Sequence, residues 1–316
     1  MSGSVCISGG AGFIGSHIAE AYLAAGWSVT CLDDLSRGKR EQVPAGAKFV
    51  QADIRSREAL ELIADGGFDV VNHQAAQIDV RVSVEDPATD ASINLVGFAN
   101  LLAGAARGRV RRVVLASSGG VVYGDPAVLP TPEPTTTLPI SPYGVSKLAS
   151  EHYLRVMGEL GNFEGVALRY SNVYGPRQDP KSEAGVVSIF VSRVLAGQPI
   201  TIFGDGEQTR DYVFVKDVAR ASVLASEKSS VSRGDSLDVP AYNVATGTET
   251  TVNQLARHVM DALGREVAIE YAPARPGELL RSCLDVSKAG RELGWQPTVP
   301  FSDGLQQLAN WFRESA

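Results

Sequence analysis

Tyr143 and Lys147 stand four residues apart in SPYGVSKLASE (Ser141 to Glu151), directly after a Ser-Pro pair of the kind that opens a helix. Residues i and i+4 share a helix face, so the phenol and the ammonium can point to one place. A free phenol, with a pKa of ~10, is almost fully protonated at neutral pH. Bringing it to a working value near 7 requires about 3 units, or ~4 kcal/mol, of preferential phenolate stabilisation. With that shift Tyr143 is a general base for a hydroxyl proton, and Lys147 is the charge that tunes it. Taken alone, the same spacing also fits a helix with one aromatic core residue and one solvated lysine.

SGGAGFIGSHIAEAYL places Gly9, Gly12 and Gly15 three residues apart, with Phe13 and Ile14 between the last two, after an apolar run and at the start of a helical pattern. Glycines at this spacing allow a tight turn and close backbone approach, and the helix N-terminus offers amides and a positive dipole end to a pyrophosphate. Asp33 closes the next apolar run, SVTCLD, where an acid can accept both ribose hydroxyls of an adenosine and repel a 2'-phosphate. NAD is therefore expected rather than NADP, with Arg37 and Lys39 nearby as the opposing signal or as a solvated loop. Asp53, followed by Ile54 in QADIR, either meets the adenine edge or serves as a turn or cap residue. An oxidised nicotinamide beside Lys147 would bring a second positive charge to Tyr143, and Lys147 would also hold its ribose.

The elements that must position these groups are legible as alternation. SVCISG, SVTCLD, FDVVNHQA and VRRVVLASS read as strands, and FIGSHIAEAYLAAG, EALELIADGG and NLVGFANLLAGAA as helices. Such alternation makes right-handed βαβ units and an α/β, doubly wound parallel sheet of the Rossmann type. Prolines in GDPAVLPTPEPTTTLPISP exclude regular helix and predict a surface loop, followed by a helix from Tyr143 to about Leu160 and a strand in GVALRYSNVYG. Residues 1–175 are expected to form mainly the dinucleotide domain. Residues 176–316 form mainly a smaller C-terminal substrate lobe, with some segments returning to the first domain and an exposed loop from Ser229 to Asp238.

The chain has 316 residues, 44% hydrophobic and 21% charged, which is ordinary globular composition. No apolar run approaches the ~18 residues of a membrane helix, and SVCIS begins too close to Met1 for a signal peptide, so a cytoplasmic protein is expected. Cys6, Cys31 and Cys283 lack metal-type spacing and read as buried, reduced thiols. A formal charge of -7 argues against non-specific nucleic-acid binding, and an anionic ligand would need a local cluster of arginines.

The combination of GGAGFIG, SSGGVVYG, SPYGVSK, LRYSNVYGPRQ and IFGDGEQTRDYVFVKDVA resembles the extended short-chain dehydrogenase/reductase superfamily. Within it, the chain resembles the NAD-dependent nucleotide-sugar epimerases of the UDP-glucose 4-epimerase type, over nearly its whole length. The resemblance implies that Asn94, Ala75, Ala76, Ser117 and Tyr170 line the cofactor. It places Asn172, Arg210 and Arg275 at the diphosphate of a UDP-hexose and Glu278 near its nucleoside ribose. Where many relatives have a catalytic Ser or Thr, this chain has Gly119, so Ser118 is expected to assist Tyr143, with Ser117 as its rival. The implied chemistry is transient oxidation at the sugar C4 to a 4-keto intermediate, followed by reduction from the other face. A 4,6-dehydratase would need an Asp-Glu pair where SSGGVVYG has glycine and valine. Alternatives within reach are a UDP-glucuronate 4-epimerase or decarboxylase, with Arg177 as carboxylate ligand, a simple nucleotide-sugar dehydrogenase or reductase, and a non-catalytic NAD-binding sensor. Ser282, at the position of a bulky gate in some relatives, would leave room for an N-acetyl group, and the helices around Asn94 to Arg107 and Lys147 to Gly158 would pair in a homodimer.

Overall fold

The structure, a computed structural model, describes residues 3–180, 185–228, 240–274 and 279–315. The loop expected from Ser229 to Asp238 lies outside the described residues, as do Arg275 and Glu278. The first half runs β1 (Ser4–Ser8), α1 (Phe13–Ala24), β2 (Ser28–Asp33), β3 (Lys48–Gln51), α2 (Arg57–Asp65), β4 (Val70–His73), α3 (Val80–Glu85) and α4 (Pro87–Ala91). A π-helical turn, Ser92–Gly97, leads into α5 (Phe98–Arg107), β5 (Arg112–Ser118), α6 (Gly119–Val122), α7 (Pro142–Gly161) and β6 (Glu164–Tyr170). The rest runs β7 (Asn172–Tyr174), α8 (Val186–Ala196), β8 (Ile200–Phe203), β9 (Thr209–Arg210), β10 (Tyr212–Phe214) and α9 (Val215–Glu227), then β11 (Ala241–Val244), β12 (Thr250–Thr251), α10 (Val252–Leu263), β13 (Ile269–Ala272), α11 (Ser287–Leu293) and α12 (Phe301–Ser315).

Seven parallel strands form the central sheet in the order β11-β6-β5-β4-β1-β2-β3. Both faces are covered, which is why residues 5–7 of β1 and 113–116 of β5 are continuous apolar runs rather than alternating ones. On one face α1 and α9 bury Ile18, Tyr22, Val218 and Ala221 against Ile7, Val114 and Leu168. On the other, Ile63, Phe98, Leu101 and Leu154 from α2, α5 and α7 cover Cys6, Val71 and Leu115. The order reverses between β1 and β4, and the crevice that opens there beyond the strand ends is where ligands of doubly wound sheets bind.

Residues 176–316 divide between two places. β11 joins the central sheet beside β6, and α9 packs on α1. By contrast α8, α10 and α12 enclose a separate core around Phe190, Ile202, Leu255 and Leu308, edged by the β8 and β13 pair. No described helix is long and apolar enough to cross a membrane. The three cysteines are buried and unpaired.

Candidate active site

The loop after β1 is built around backbone contact. Gly9 has φ +73, and a Cβ there would lie 2.6 Å from the Ala75 nitrogen. A Cβ on Gly15 would lie 2.0 Å from the Gly9 carbonyl, so turn and helix close on each other only without side chains. Gly12 is the N-cap of α1 and no side chain caps that end, which leaves the first amides, those of Phe13 and Ile14 included, directed at the crevice. Gln74 and Ala75 donate their amides to the Ser8 carbonyl at 2.9 and 3.0 Å, which brings the segment bearing Ala75 and Ala76 alongside the glycine loop. The uncapped first turn of α1, reached through a loop that closes only on glycines, fits a pyrophosphate, so the residues present suit NAD.

Asp33 is buried at the end of β2 and accepts from the amides of Ala11 at 3.0 Å and Leu35 at 2.9 Å. Burial pushes its carboxyl up, and the two amides counter that by stabilising the charged form. Arg37 and Lys39 are exposed. Asp53 accepts from the Arg55 side chain at 2.9 Å and the Arg55 amide at 2.8 Å, a turn contact between residues two apart. Ile54 is buried against Gly97 in the π-helical turn.

α7 opens as its sequence predicts, with Ser141 accepting from the Gly144 amide at 3.2 Å and Pro142 in the first turn. Tyr143 is half-buried and Lys147 is buried one turn on, its Nζ 5.8 Å from the Tyr143 ring centroid. Lys147 donates to the Ala116 carbonyl at 3.0 Å, tying the pair to the end of β5. Burial pulls the Lys147 ammonium down to about 8. Burial and the Asp90 carboxylate push the Tyr143 phenol above its ordinary value. The protein alone therefore moves the phenol away from the value a general base needs.

The two serines separate because successive strand residues face opposite ways. Ser117 is buried and donates to Glu151 Oε1 at 2.5 Å, within a buried ion pair of Glu151 and Arg169 at 2.6 Å. Ser118 is half-buried at the first turn of α6, and its hydroxyl makes no hydrogen bond to a described residue. Gly119 has a physical reason to be glycine, since a Cβ there would lie 2.4 Å from Leu284 Cδ1. A side chain there would require Leu284 to shift.

Asn172 is half-buried on β7, its amide bonded to the Asp211 carbonyl at 2.9 Å. The Tyr170 hydroxyl lies near Gln74 Nε2 (3.3 Å) and Ser222 Oγ (3.4 Å), so its ring and backbone are what it can offer a cofactor. Arg210 is half-buried on β9 and donates to the Thr209 carbonyl at 2.7 Å. Arg177 bonds Ser16 Oγ at 3.1 Å and pairs with Glu20 on α1. Ser282 is buried.

One group was not read from the sequence. Asp90, fully buried on α4, accepts from Ser146 Oγ at 2.6 Å, Asn94 Nδ2 at 2.9 Å and Gln77 Nε2 at 3.0 Å. Asn94 also clamps the Gln77 backbone, accepting from its amide and donating to its carbonyl, both at 2.9 Å. The available signal was spacing, since Asp90 precedes Asn94 by one helical turn.

The chain belongs to the NAD dependent epimerase/dehydratase family, whose model matches residues 5–245. Within that family it is an enzyme of the UDP-glucose 4-epimerase type. It is 42% identical over 315 residues to the UDP-glucose 4-epimerase of Mycolicibacterium smegmatis, covering 98% of each chain. The Thermotoga maritima UDP-glucose 4-epimerase, solved with UDP-glucose, superposes with a TM-score of 0.93 at 41% identity over 99% of both chains. The Thermus thermophilus UDP-glucose 4-epimerase, solved with NAD, superposes with a TM-score of 0.90 at 45% identity, covering 99% of this chain and 100% of the other.

Proposed function

We propose that the chain inverts C4 of a UDP-hexose, interconverting UDP-glucose and UDP-galactose through a transient 4-keto sugar. The observation that carries this reading is Tyr143 and Lys147 on one turn of α7, joined through the Ala116 carbonyl to β5, two strands across the same sheet from the glycine cradle. Bound along Gly9–Gly15 and Asp33, NAD would supply a two-electron acceptor that ends the cycle unchanged. Tyr143 takes the proton of the C4 hydroxyl and returns it to the same oxygen, while the hydride given up by C4 would come back to the other face of the turned 4-keto sugar; Lys147 stabilises the phenolate, and Ser118 shares the proton. Asn94, Ala75, Ala76 and Tyr170 shape the cofactor side. Asn172 and Arg210, with Arg275 and Glu278, hold the nucleoside diphosphate from the lobe formed mainly by residues 176–316.

The small, buried Ser282 supports acceptance of N-acetylated hexoses as well. Ser282→Tyr then lowers activity on the N-acetyl sugar relative to the plain one, and an unchanged ratio removes the gate. The exposed residues Val145, Tyr153, Val156 and Leu160 repeat along one side of α7 and support a homodimer through that face. Leu160→Glu should yield monomers in sedimentation, and an unaltered mass would exclude the face. A cytoplasmic setting accords with three unpaired, buried thiols.

The deciding experiment is proton NMR of the protein with UDP-glucose and, separately, UDP-N-acetylglucosamine, without added NAD. New galacto-configured anomeric signals are expected. Spectra that stay unchanged even after NAD is supplied would overturn the proposal.

A further inference from the structure

Asp90 sits at 0% exposure with three hydrogen-bond donors aimed at it. Its partners are Ser146 on α7, Asn94 in the π-helical turn and Gln77 in the segment after β4, and all three are neutral. A carboxylate charge is costly to bury, and among the described residues no cation pairs directly with it. Its 2.6 Å bond to Ser146 places it under the first turn of α7, at the residue that precedes Lys147 and lies three after Tyr143.

We propose that Asp90 is a positioning residue for the reaction, a buried negative charge that keeps the Lys147 ammonium protonated while its bond to Ser146 sets the first turn of α7. This rests on the reading of Tyr143 and Lys147 as the catalytic pair. Other groups around Lys147 do not offer the same service. His73, facing it from β4, is pushed down to about 3 by burial and by Lys147 itself, and is therefore neutral at working pH. Glu151, the next turn along α7, is neutralised by Arg169. Tyr143 shares the face, and the Ala116 carbonyl of β5 offers only a dipole. On the α3 side, Ser83 Oγ receives the Tyr143 amide at 3.2 Å, and Asp79, which caps α3, lies 3.6 Å from Arg81.

The sign of the effect is determined by charge. Burial holds Lys147 at about 8, with Asp90 opposing the fall, so loss of the carboxylate takes the ammonium lower still. Asp90 raises the Tyr143 phenol, so its loss lowers that group too. The cost of the carboxylate is a less acidic phenol, and its return is a lysine that stays charged beside it.

The test compares Asp90→Asn with the parent protein, NAD bound, in two ways. The pH profile of epimerisation should move as a whole to lower pH, by about one unit for one buried charge, so that turnover at the alkaline end falls several-fold with KM little changed. Independently of turnover, the ultraviolet phenolate band that disappears in Tyr143→Phe should titrate lower in Asp90→Asn by a similar amount. Ser146→Ala, which keeps the charge and removes one bond, should reduce turnover with much smaller movement of either titration. Limbs and phenolate band that stay in place in Asp90→Asn overturn the proposal. If Asp90→Asn does not fold, the parent protein still decides: both titrations should be nearly insensitive to salt when a buried charge governs them, and movement with salt overturns the proposal. A parent protein without epimerase activity would defeat the functional reading, while the phenolate titration would still report on Asp90.

Discussion

At the scale of single residues, the site works by assigning adjacent, chemically similar groups to different tasks. Ser117 and Ser118 differ only in the sheet face they occupy, yet one hydroxyl is bonded to Glu151 and the other has no described partner. Ser118→Ala is therefore expected to lower kcat by about 10²-fold, the lower range for loss of proton-transfer assistance, with NAD retention unchanged. Ser117→Ala should instead cost about 1 kcal/mol of stability by leaving Glu151 short of a donor, with a smaller effect on kcat. Steady-state kinetics and denaturant unfolding on both variants check the assignment, and the reverse pattern would make Ser117 the assisting serine. Tyr143→Phe should abolish turnover and leave NAD bound. Normal turnover in that variant would remove Tyr143 as the base.

The elements contribute geometry that no side chain could supply by itself. The first turn of α1 can face a pyrophosphate only because the preceding loop passes against the Ala75 backbone, and Gly9 makes that passage at φ +73. Gly9→Ala adds both a left-handed strain and a contact at 2.6 Å, with an expected stability loss of about 1–3 kcal/mol and loss of bound NAD on gel filtration. A variant that retains cofactor and unfolds at the parent denaturant concentration would contradict the cradle. In α7 a single helix carries three functions in successive turns: Tyr143 and Lys147 at the site, Glu151 in the buried network, and an outer apolar side.

Across the whole molecule, buried polar links join the layers that surround the site. Glu151 of α7 pairs with Arg169 of β6, which also donates to the Tyr123 hydroxyl at 2.8 Å, and Tyr123 donates to Asn243 of β11 at 2.9 Å. Asn243 continues the chain to the Thr131 and Asp285 carbonyls at 2.9 and 3.0 Å. Removing one member of a buried ion pair strands the other, so Glu151→Gln should destabilise the protein by about 3–5 kcal/mol. Replacing both Glu151 and Arg169 with methionine should recover much of that loss. A Glu151→Gln denaturation midpoint equal to the parent's would mean that the pair is not structurally coupled.

By itself the amino-acid sequence determined the local chemistry and the alternation of elements. Apolar runs of strand length, helical periodicity, the glycine spacing and the Tyr143–Lys147 step all depend on neighbours within a few residues, and the doubly wound sheet follows from them. Only the tertiary structure decided that Ser117 rather than Ser118 bonds Glu151, that Arg177 reaches α1, and that Leu284 packs against Gly119. It also brought Asp90 beneath Ser146 across a separation of 56 residues. Those outcomes turn on which sheet face a residue occupies and on which distant segment packs there. Burial then sets the charges: a lysine and a phenol four residues apart carry no preference of their own until the dielectric around them and the carboxylate beneath them are in place.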